Sequence, residues 1–300
     1  MKNCKKHFLV ALIVLFLGQF LYPEAAKSQV IEVGGSIGLS YYMGDINPKK
    51  PLNCSELGWG VLARYYSNTR WAFRIAYSNL QLNGDDLKSG YRPERGLSFN
   101  TKAHDFALMA EFNFLDYFTG SKRSRLSPYL FGGISIFSFN PKADDGTNLH
   151  DERTDVIYGY YNDSDTSLYE KKIDYNTMAI SIPFGIGVKY SLSARLGLAL
   201  EWRWDYTFTD WIDDCHGYYP RYPYKDDEGN DVVNISLADP TGLSEDPGNP
   251  GHNNTLYKQR GNKEDNDWFG YLSLSIVYKF TLPQCNDCNA KVKHNQYSYY

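Results

Sequence analysis

RLGLALEWRWDYTFT, residues 195–209, alternates between apolar side chains and polar or small ones. Successive side chains of a β-strand point to opposite faces, so this stretch predicts a strand with one apolar and one polar face. Strands of ordinary sheets are commonly ~5–6 residues long, whereas a tilted strand that crosses an outer membrane needs ~9–11. The length and the alternation therefore favour a membrane-spanning strand. Its apolar face carries Leu196, Leu198, Leu200, Trp202, Trp204, Tyr206 and Phe208, and its polar face carries Arg195, Glu201, Arg203 and Asp205.

Seven other segments repeat this alternation, although the fifth has two apolar or small faces. They are 33–41, 57–65, 71–77, 106–114, 129–139, 180–190 and 268–280. Eight spans are an even number, as single-chain bacterial barrels have. The fold class predicted is therefore all-β, an eight-stranded antiparallel transmembrane β-barrel.

The connections between these segments alternate in length. Short turns fall at 67–69, 116–126 and 191–194, and long loops fall at 44–56, 83–97, 141–176 and 210–267. Outer-membrane barrels have short periplasmic turns and long external loops. The order of short and long connections predicts a multi-pass barrel of the cell outer membrane with both termini periplasmic.

The N-terminal residues have the pattern of an export signal. Three lysines (Lys2, Lys5 and Lys6) precede an apolar run from Phe8 to Leu21, and small residues at Ala25, Ala26 and Ser28 offer a cleavage site. The predicted organisation is a removed signal peptide at 1–28, an outer-membrane β-barrel at 29–281 and a polar periplasmic tail at 282–300.

Charged residues on the polar faces predict the interior. The lumen of an eight-stranded barrel is just wide enough for side chains to fill it, so these groups are expected to pair as a polar network and an open pore is not expected. The predicted members are Arg70, Arg74, Glu111, Glu201, Arg203 and Asp205.

The composition and the motifs argue against nucleic-acid binding, catalysis and metal binding. With 26 Tyr, 16 Phe and 6 Trp, the chain has the aromatic load of barrel girdles, and its net charge of -4 argues against a nucleic-acid partner. No Ser-His-acid set can be assembled around the histidines, and the acidic run 226–231 lacks the spacing of a calcium loop. We expect no catalytic residue, no metal, no cofactor and no small-molecule substrate.

Four cysteines remain in the mature chain. Cys54 and Cys215 both fall in predicted external loops, where a disulfide between them is possible. Cys285 and Cys288 share the predicted tail, where a local disulfide or a bond to a periplasmic partner are the main alternatives. A redox motif or a zinc site fits Cys285 and Cys288 less well, because no βαβ unit and too few ligands accompany them.

Several segments together resemble a known family. They are YMGDINP at 42–48, SPYLFGG at 127–133, IPFGIGVKY at 182–190 and FTDWIDD at 208–214, supported by shorter matches between them. In order and spacing they are similar to the PorG-type outer-membrane barrels of the Bacteroidetes type IX secretion system. The likeness covers about 31–219, and the chain departs from the family pattern at Cys215-His216 and in a long insert at 222–267.

The resemblance implies a non-enzymatic component of the protein secretion machinery, associated with a periplasmic ring of PorK and PorN and, where that machinery drives gliding, with gliding motility. The predicted partner-binding residues are Lys122, Arg123 and Arg125 in a periplasmic turn and Cys285 and Cys288 in the tail. The alternative function is a surface adhesion or small-solute barrel that acts through its external loops.

Overall fold

A computed structural model describes residues 30–121, 124–152, 160–162, 165–169, 175–217, 237, 239–241, 260–262 and 264–281. Eight long strands form the body of the molecule. They are β1 (Val30–Met43), β2 (Glu56–Tyr66), β3 (Trp71–Asp85), β4 (Ser98–Asn113), β5 (Leu126–Ser138), β6 (Met178–Ser191), β7 (Leu196–Thr207) and β8 (Trp268–Thr281).

Each strand pairs antiparallel with its neighbour in the chain, and the last strand pairs with the first. Val30 of β1 lies opposite Thr281 of β8, and Met43 lies opposite Trp268, so the whole length of β1 joins β8. The ring is thereby closed, and each of the eight long strands has a partner on both sides. The predicted eight-stranded antiparallel barrel is confirmed.

Side chains alternate between the interior and the outer wall along every strand. In β2, Leu57, Trp59 and Val61 point outward and are 69%, 51% and 51% exposed, while the residues between them face inward. Outward apolar side chains continue around the ring on β5, β6, β7 and β8, at Ile134, Ile136, Ile186, Leu200, Leu274 and Ile276. We call these outward residues the apolar belt.

An apolar belt of this extent is costly in water, because burial of apolar surface is the main force that stabilises folded proteins. Closed antiparallel barrels with an even number of strands and an outward apolar band are the outer-membrane type. The chain is therefore an outer-membrane β-barrel whose belt faces acyl chains. Among the described residues, no helix is long and apolar enough to cross a membrane.

The two ends of the barrel differ. At the short-turn end, β2 joins β3, β4 joins β5 and β6 joins β7 through residues 67–70, 114–125 and 192–195. The other four connections lie at the long-loop end. They include two four-residue helices (Asp86–Ser89 and Leu149–Glu152), a two-residue strand (Pro141–Lys142) that pairs with β4, and a hairpin of Tyr160–Asn162 with Asp165–Tyr169.

The β3–β4 hairpin extends further into the long-loop end than the sequence pattern predicts. Its register continues from Tyr77 opposite Phe106 to Asp85 opposite Ser98. Beyond the belt its outward residues are polar, whereas Leu80 and Leu82 still point inward and are fully buried. They join an apolar cap inside the long-loop end, formed with Tyr42, Ile46, Phe99, Phe137, Ile212 and Phe269.

Candidate functional site

Six charged side chains meet in the middle of the barrel, each from a different strand. We call them the ion network: Glu32, Arg64, Arg74, Glu111, Lys189 and Glu201. Arg64 lies 2.9 Å from Glu32 and 2.8 Å from Glu111, and Arg74 lies 3.1 Å from Glu111 and 2.5 Å from Glu201. Three carboxylates thus face three cations, so the formal charges of the network balance.

Aromatic rings pack around this ion network. The ammonium of Lys189 lies 4.3 Å from the ring centroid of Tyr129, and the guanidinium of Arg74 lies 4.8 Å from that of Phe131. The hydroxyl of Tyr129 also donates a hydrogen bond to Glu201. Cations over ring faces are stabilised electrostatically, and buried charges need such partners. Paired charges and rings therefore occupy the barrel interior at this level.

A second polar group lies nearer the long-loop end. Arg203 donates hydrogen bonds of 2.7 Å to both Asp105 and Asp205, and Ser181 donates one of 3.0 Å to Asp205. Arg203 and Asp105 come from β7 and β4, which are not neighbours in the ring, so this pair crosses the lumen, while Ser181 joins the adjacent strand β6 to β7.

The structure brings together five of the six residues predicted for the lumen, although in two groups. Arg74, Glu111 and Glu201 belong to the ion network, and Arg203 and Asp205 form the second group. Sequence reasoning omitted Glu32, Arg64, Asp105 and Lys189, which lie at inward positions of their strands. A count of every charge on the polar faces would have found them.

Arg70 lies outside the lumen, and its predicted place there is wrong. It precedes β3 at the short-turn end, where its side chain is 43% exposed and its Nε lies 2.6 Å from Asp116. Arg70 and Arg74 are four positions apart, so the alternation assigns both to the inward face. The barrel wall, however, ends before Arg70. Its side chain therefore binds the neighbouring turn instead of the interior.

Carboxyl groups crowd together above the apolar cap, at the long-loop end. The hydroxyl of Tyr42 lies 2.6 Å from an oxygen of Asp213 and 2.7 Å from an oxygen of Asp267. A phenol has one hydrogen to donate, so one of these carboxyls must carry a proton that it donates to Tyr42. We call Asp210, Asp213 and Asp267 the carboxyl cluster.

The pKa values agree with a shared proton. Burial, followed by repulsion from Asp45, raises the pKa of Asp213 to about 7. Burial and repulsion from Asp267 and Asp213 raise the pKa of Asp210 to about 11, and burial and repulsion from Asp213 and Asp45 raise the pKa of Asp267. The cluster therefore holds protons at neutral pH.

Two arginines hold the long loops together beside this cluster. Arg95 donates two hydrogen bonds to Asp86, of 2.7 and 2.6 Å, and one of 3.0 Å to the carbonyl of Asp45. Arg95 also donates to the carbonyl of Arg260, whose own guanidinium donates to the carbonyl of Asp214 at 2.5 Å. These bonds join the loops that follow β1, β3 and β7.

Cys54 and Cys215 are free thiols, so the possible disulfide between them is not formed. Cys215 is buried against the side chain of Arg95, 3.1 Å from its Nη1, and donates to the carbonyl of Arg260. Cys54 lies elsewhere in the loops, near Asp85 and Lys88. Both cysteines were rightly placed at the long-loop end, but being on the same side of the barrel did not bring them into contact.

The short-turn end carries exposed basic side chains. Arg125 and Arg195 are exposed, Arg70 is partly exposed, and Lys279 lies beside them with its ammonium over the ring of Phe118. We call these four residues the basic rim. Of the predicted partner-binding residues, Arg125 lies here, while Lys122, Arg123, Cys285 and Cys288 lie outside the described residues, as do the signal peptide and the tail.

Groups of side chains that could bind a metal ion do not occur in the described part of the chain. Within it, no group of three or more His, Cys, Asp or Glu side chains is arranged to hold a metal ion. The polar groups described above are instead paired with one another across strands and loops.

Comparison with solved structures finds small outer-membrane and surface proteins. Neisserial surface protein A is 13% identical, with 86% of this chain and 100% of that chain covered and a TM-score of 0.39. Ail, the attachment invasion locus protein of Yersinia pestis, solved with the heparin analogue sucrose octasulfate, is 8% identical, with coverages of 85% and 100% and a TM-score of 0.36. OprG of Pseudomonas aeruginosa is 12% identical, with coverages of 85% and 97% and a TM-score of 0.36.

Comparison of the sequence with protein-family models identifies the family to which the chain belongs. No curated protein matches the chain. Residues 6–157, just over half of the chain, match the family described as "Domain of unknown function (DUF6089)". The chain therefore belongs to the DUF6089 family.

Proposed function

We propose that this outer-membrane barrel is a non-enzymatic component of a type IX protein secretion machinery and anchors a periplasmic ring of PorK and PorN type to the membrane. The motifs at 42–48, 127–133, 182–190 and 208–214 support the machinery. The observation that carries the anchoring role is the basic rim, since exposed positive charge at one end of a rigid barrel attracts and orients an acidic partner.

The proposal includes an orientation. The short-turn end and both chain termini are periplasmic, and the long loops are external, as in barrels of this type. The basic rim then faces the periplasm together with the tail from Pro283 to Tyr300. A membrane anchor needs no open pore, so a lumen filled with ion pairs is compatible with this role.

Affinity purification from detergent-solubilised membranes tests the proposal. Tagged full-length protein is expected to bring down the ring proteins, and a variant that lacks residues 283–300 is expected to bring down less and to secrete poorly. Heat-dependent migration on SDS gels checks that both proteins fold. Folded barrels that recover no ring protein would reject the anchoring role.

The tail cysteines offer a second test. If Cys285 or Cys288 bonds to a periplasmic partner, non-reducing gels of native membranes will show a larger adduct. That adduct must vanish on reduction and in the double variant Cys285→Ser, Cys288→Ser. A band pattern that is the same in both proteins would leave only a local disulfide or free thiols.

The second candidate function is a surface adhesion or small-solute barrel acting through the long loops. One observation favours it, namely a groove at the long-loop end with an aromatic wall and a polar edge. Ring capture separates the two candidates, because a loop-acting barrel has no need of ring proteins.

A further inference from the structure

The groove lies on the outer wall of the barrel, where β6, β7 and β8 reach the long-loop end. Its volume is about 930 Å³, which is in the range of small-molecule sites. Trp202, Trp204 and Trp268 form much of its wall, and Asn262, Asp265 and Asn266 overhang it from the loop before β8. We call it the aromatic groove.

The aromatic wall is held in one arrangement. The rings of Trp202 and Trp204 stack 4.7 Å apart at 29°, and Phe184 continues the stack 6.0 Å from Trp204 at 24°. Trp202 donates its indole N–H to the hydroxyl of Tyr41 at 2.7 Å. The ring of Tyr41 occupies the space over Gly270, where a Cβ would lie 2.2 Å from it. The wall is thus held in place before any ligand arrives.

The polar edge is also held in place. Asn262 donates its backbone N–H to Asp45 at 2.7 Å and its side-chain amide to Asp265 at 2.6 Å. Asn266 donates to the hydroxyl of Tyr206 at 3.3 Å. Each of these amides and carboxylates keeps further hydrogen-bonding capacity, so the edge presents both donors and acceptors above the rings.

The charge of the groove limits its ligand. Asp45, Glu264 and Asp265 line it, and no lysine or arginine is among the described lining residues. These carboxylates disfavour a phosphate or carboxylate ligand, and the ammonium of Lys49 lies over the ring of Tyr91 at 5.2 Å. Cations favour ring faces, but a cation site of the aromatic-cage type surrounds the charge, whereas Trp202 and Trp204 stack on each other and leave no enclosed space between them.

Neutral sugars fit both parts of the groove. A pyranose ring has C–H faces that lie flat on aromatic rings and hydroxyls that hydrogen-bond with carboxylates and amides. An ordinary membrane girdle has rings at the interface, but polar side chains do not overhang it in this way. We propose that the aromatic groove binds the neutral pyranose units of a glycan. This inference rests on the proposed function only for the orientation, which places the groove outside the cell.

Two sources supply such sugars there: the headgroup of a glycolipid in the outer leaflet and a free oligosaccharide. Calorimetry on the full-length barrel in nanodiscs tests the shared chemistry with maltohexaose, cellohexaose and mannohexaose. Flotation with vesicles of phosphatidylcholine, with and without digalactosyl diacylglycerol, tests the lipid source. We expect binding in at least one of the two experiments. Heat released with an oligosaccharide identifies a free sugar as the ligand, and flotation that requires the glycolipid identifies a lipid headgroup.

Two variants locate the binding. Trp204→Leu removes an aromatic ring from the wall and keeps an apolar side chain, so affinity is expected to fall about tenfold or more. Trp59→Leu removes a more exposed tryptophan on β2, outside the groove, and is expected to bind like the parent protein. Heat-dependent gel migration verifies folding of both.

Three results would overturn the inference. They are no binding to any of the four sugar probes, equal binding by Trp204→Leu and the parent protein, and displacement of the sugar by choline at lower concentration than by glucose. Ring capture does not depend on this groove, so the anchoring role and the glycan site fail separately.

Discussion

The ammonium of Lys189 lies 2.5 Å from Oε2 of Glu111, and the same carboxylate receives Arg64 at 2.8 Å and Arg74 at 3.1 Å. Lys189 and Glu111 belong to β6 and β4, so the contact crosses the lumen. One carboxylate therefore contacts three cations from three strands, which makes Glu111 the centre of the ion network.

Glu111→Gln is expected to destabilise the barrel strongly. The change keeps the size of the side chain but leaves three buried cations with two carboxylates, and breaking a buried ion pair costs about 3–5 kcal/mol. Equilibrium urea unfolding in lipid vesicles measures the loss. Glu94→Gln, a change at an exposed position paired with Arg92 at 3.7 Å, is expected to cost less than about 0.5 kcal/mol. Equal effects of the two changes would contradict the central role of Glu111.

The long-loop end is expected to loosen as the pH rises. An unfolded aspartate has a pKa of ~4, whereas that of Asp213 in the folded protein is about 7 and that of Asp210 about 11. Above pH ~4 the folded state therefore binds more protons than the unfolded state, and the free energy of local unfolding falls with rising pH. The stability is fully present below pH ~4. The contribution of Asp213 is lost by about pH 7, and that of Asp210 continues to fall above it.

Hydrogen exchange of the segment 208–217, corrected for the intrinsic rate at each pH, measures this loosening. Opening is expected to increase about tenfold or more between pH 5.5 and pH 8. Asp213→Asn removes one titrating group and keeps an acceptor for the backbone N–H of Cys215, so its pH dependence should be weaker. An opening rate that is independent of pH in the parent protein would contradict the shared proton.

The fold was predictable because each span has one face that touches lipid. The alternation holds for six apolar positions in β7 and for Phe208 just after it, and the structure places them on the outer wall. In β5 both faces are apolar or small because Tyr129 and Phe131 point inward to cover the charges of Glu201 and Arg74. The ends of β3 and β4 were missed because, beyond the belt, the outward residues face water and the inward residues face the apolar cap.

The contacts among loops and turns were not predictable in the same way. Alternation fixes the face on which a residue lies, but it does not fix the height at which the wall ends, and so Arg70 was misplaced. Nor does it fix how the long loops fold over the barrel, so the sequence could not decide whether Cys54 and Cys215 form a disulfide. Tyr42, whose hydroxyl joins the carboxyl cluster, gave no sequence signal of that role.

Reversing charge at the basic rim is expected to weaken ring capture. The double variant Arg125→Glu, Arg195→Glu changes two exposed side chains at the short-turn end, and repulsion from an acidic partner costs affinity and slows association. Recovered ring protein should fall several-fold, and the effect should shrink at high salt. Lys102→Glu, Lys142→Glu makes the same change at exposed positions toward the long-loop end and is expected to recover the parent amount. If both double variants lose the ring equally, docking does not occur through the rim.

Leu200→Arg and Leu87→Arg together test whether the apolar belt faces lipid. Leu200 is 55% exposed and lies between the outward residues Val188 and Leu274 on the neighbouring strands. Leu87 is 70% exposed in the helix Asp86–Ser89, at the long-loop end. Because an arginine near the bilayer midplane costs about 2–4 kcal/mol, Leu200→Arg should lower the free energy of unfolding in vesicles by that amount. Leu87→Arg should change it by less than about 0.5 kcal/mol. Both side chains are exposed leucines, so only contact with acyl chains distinguishes them, and equal effects would mean that the belt does not lie in a membrane.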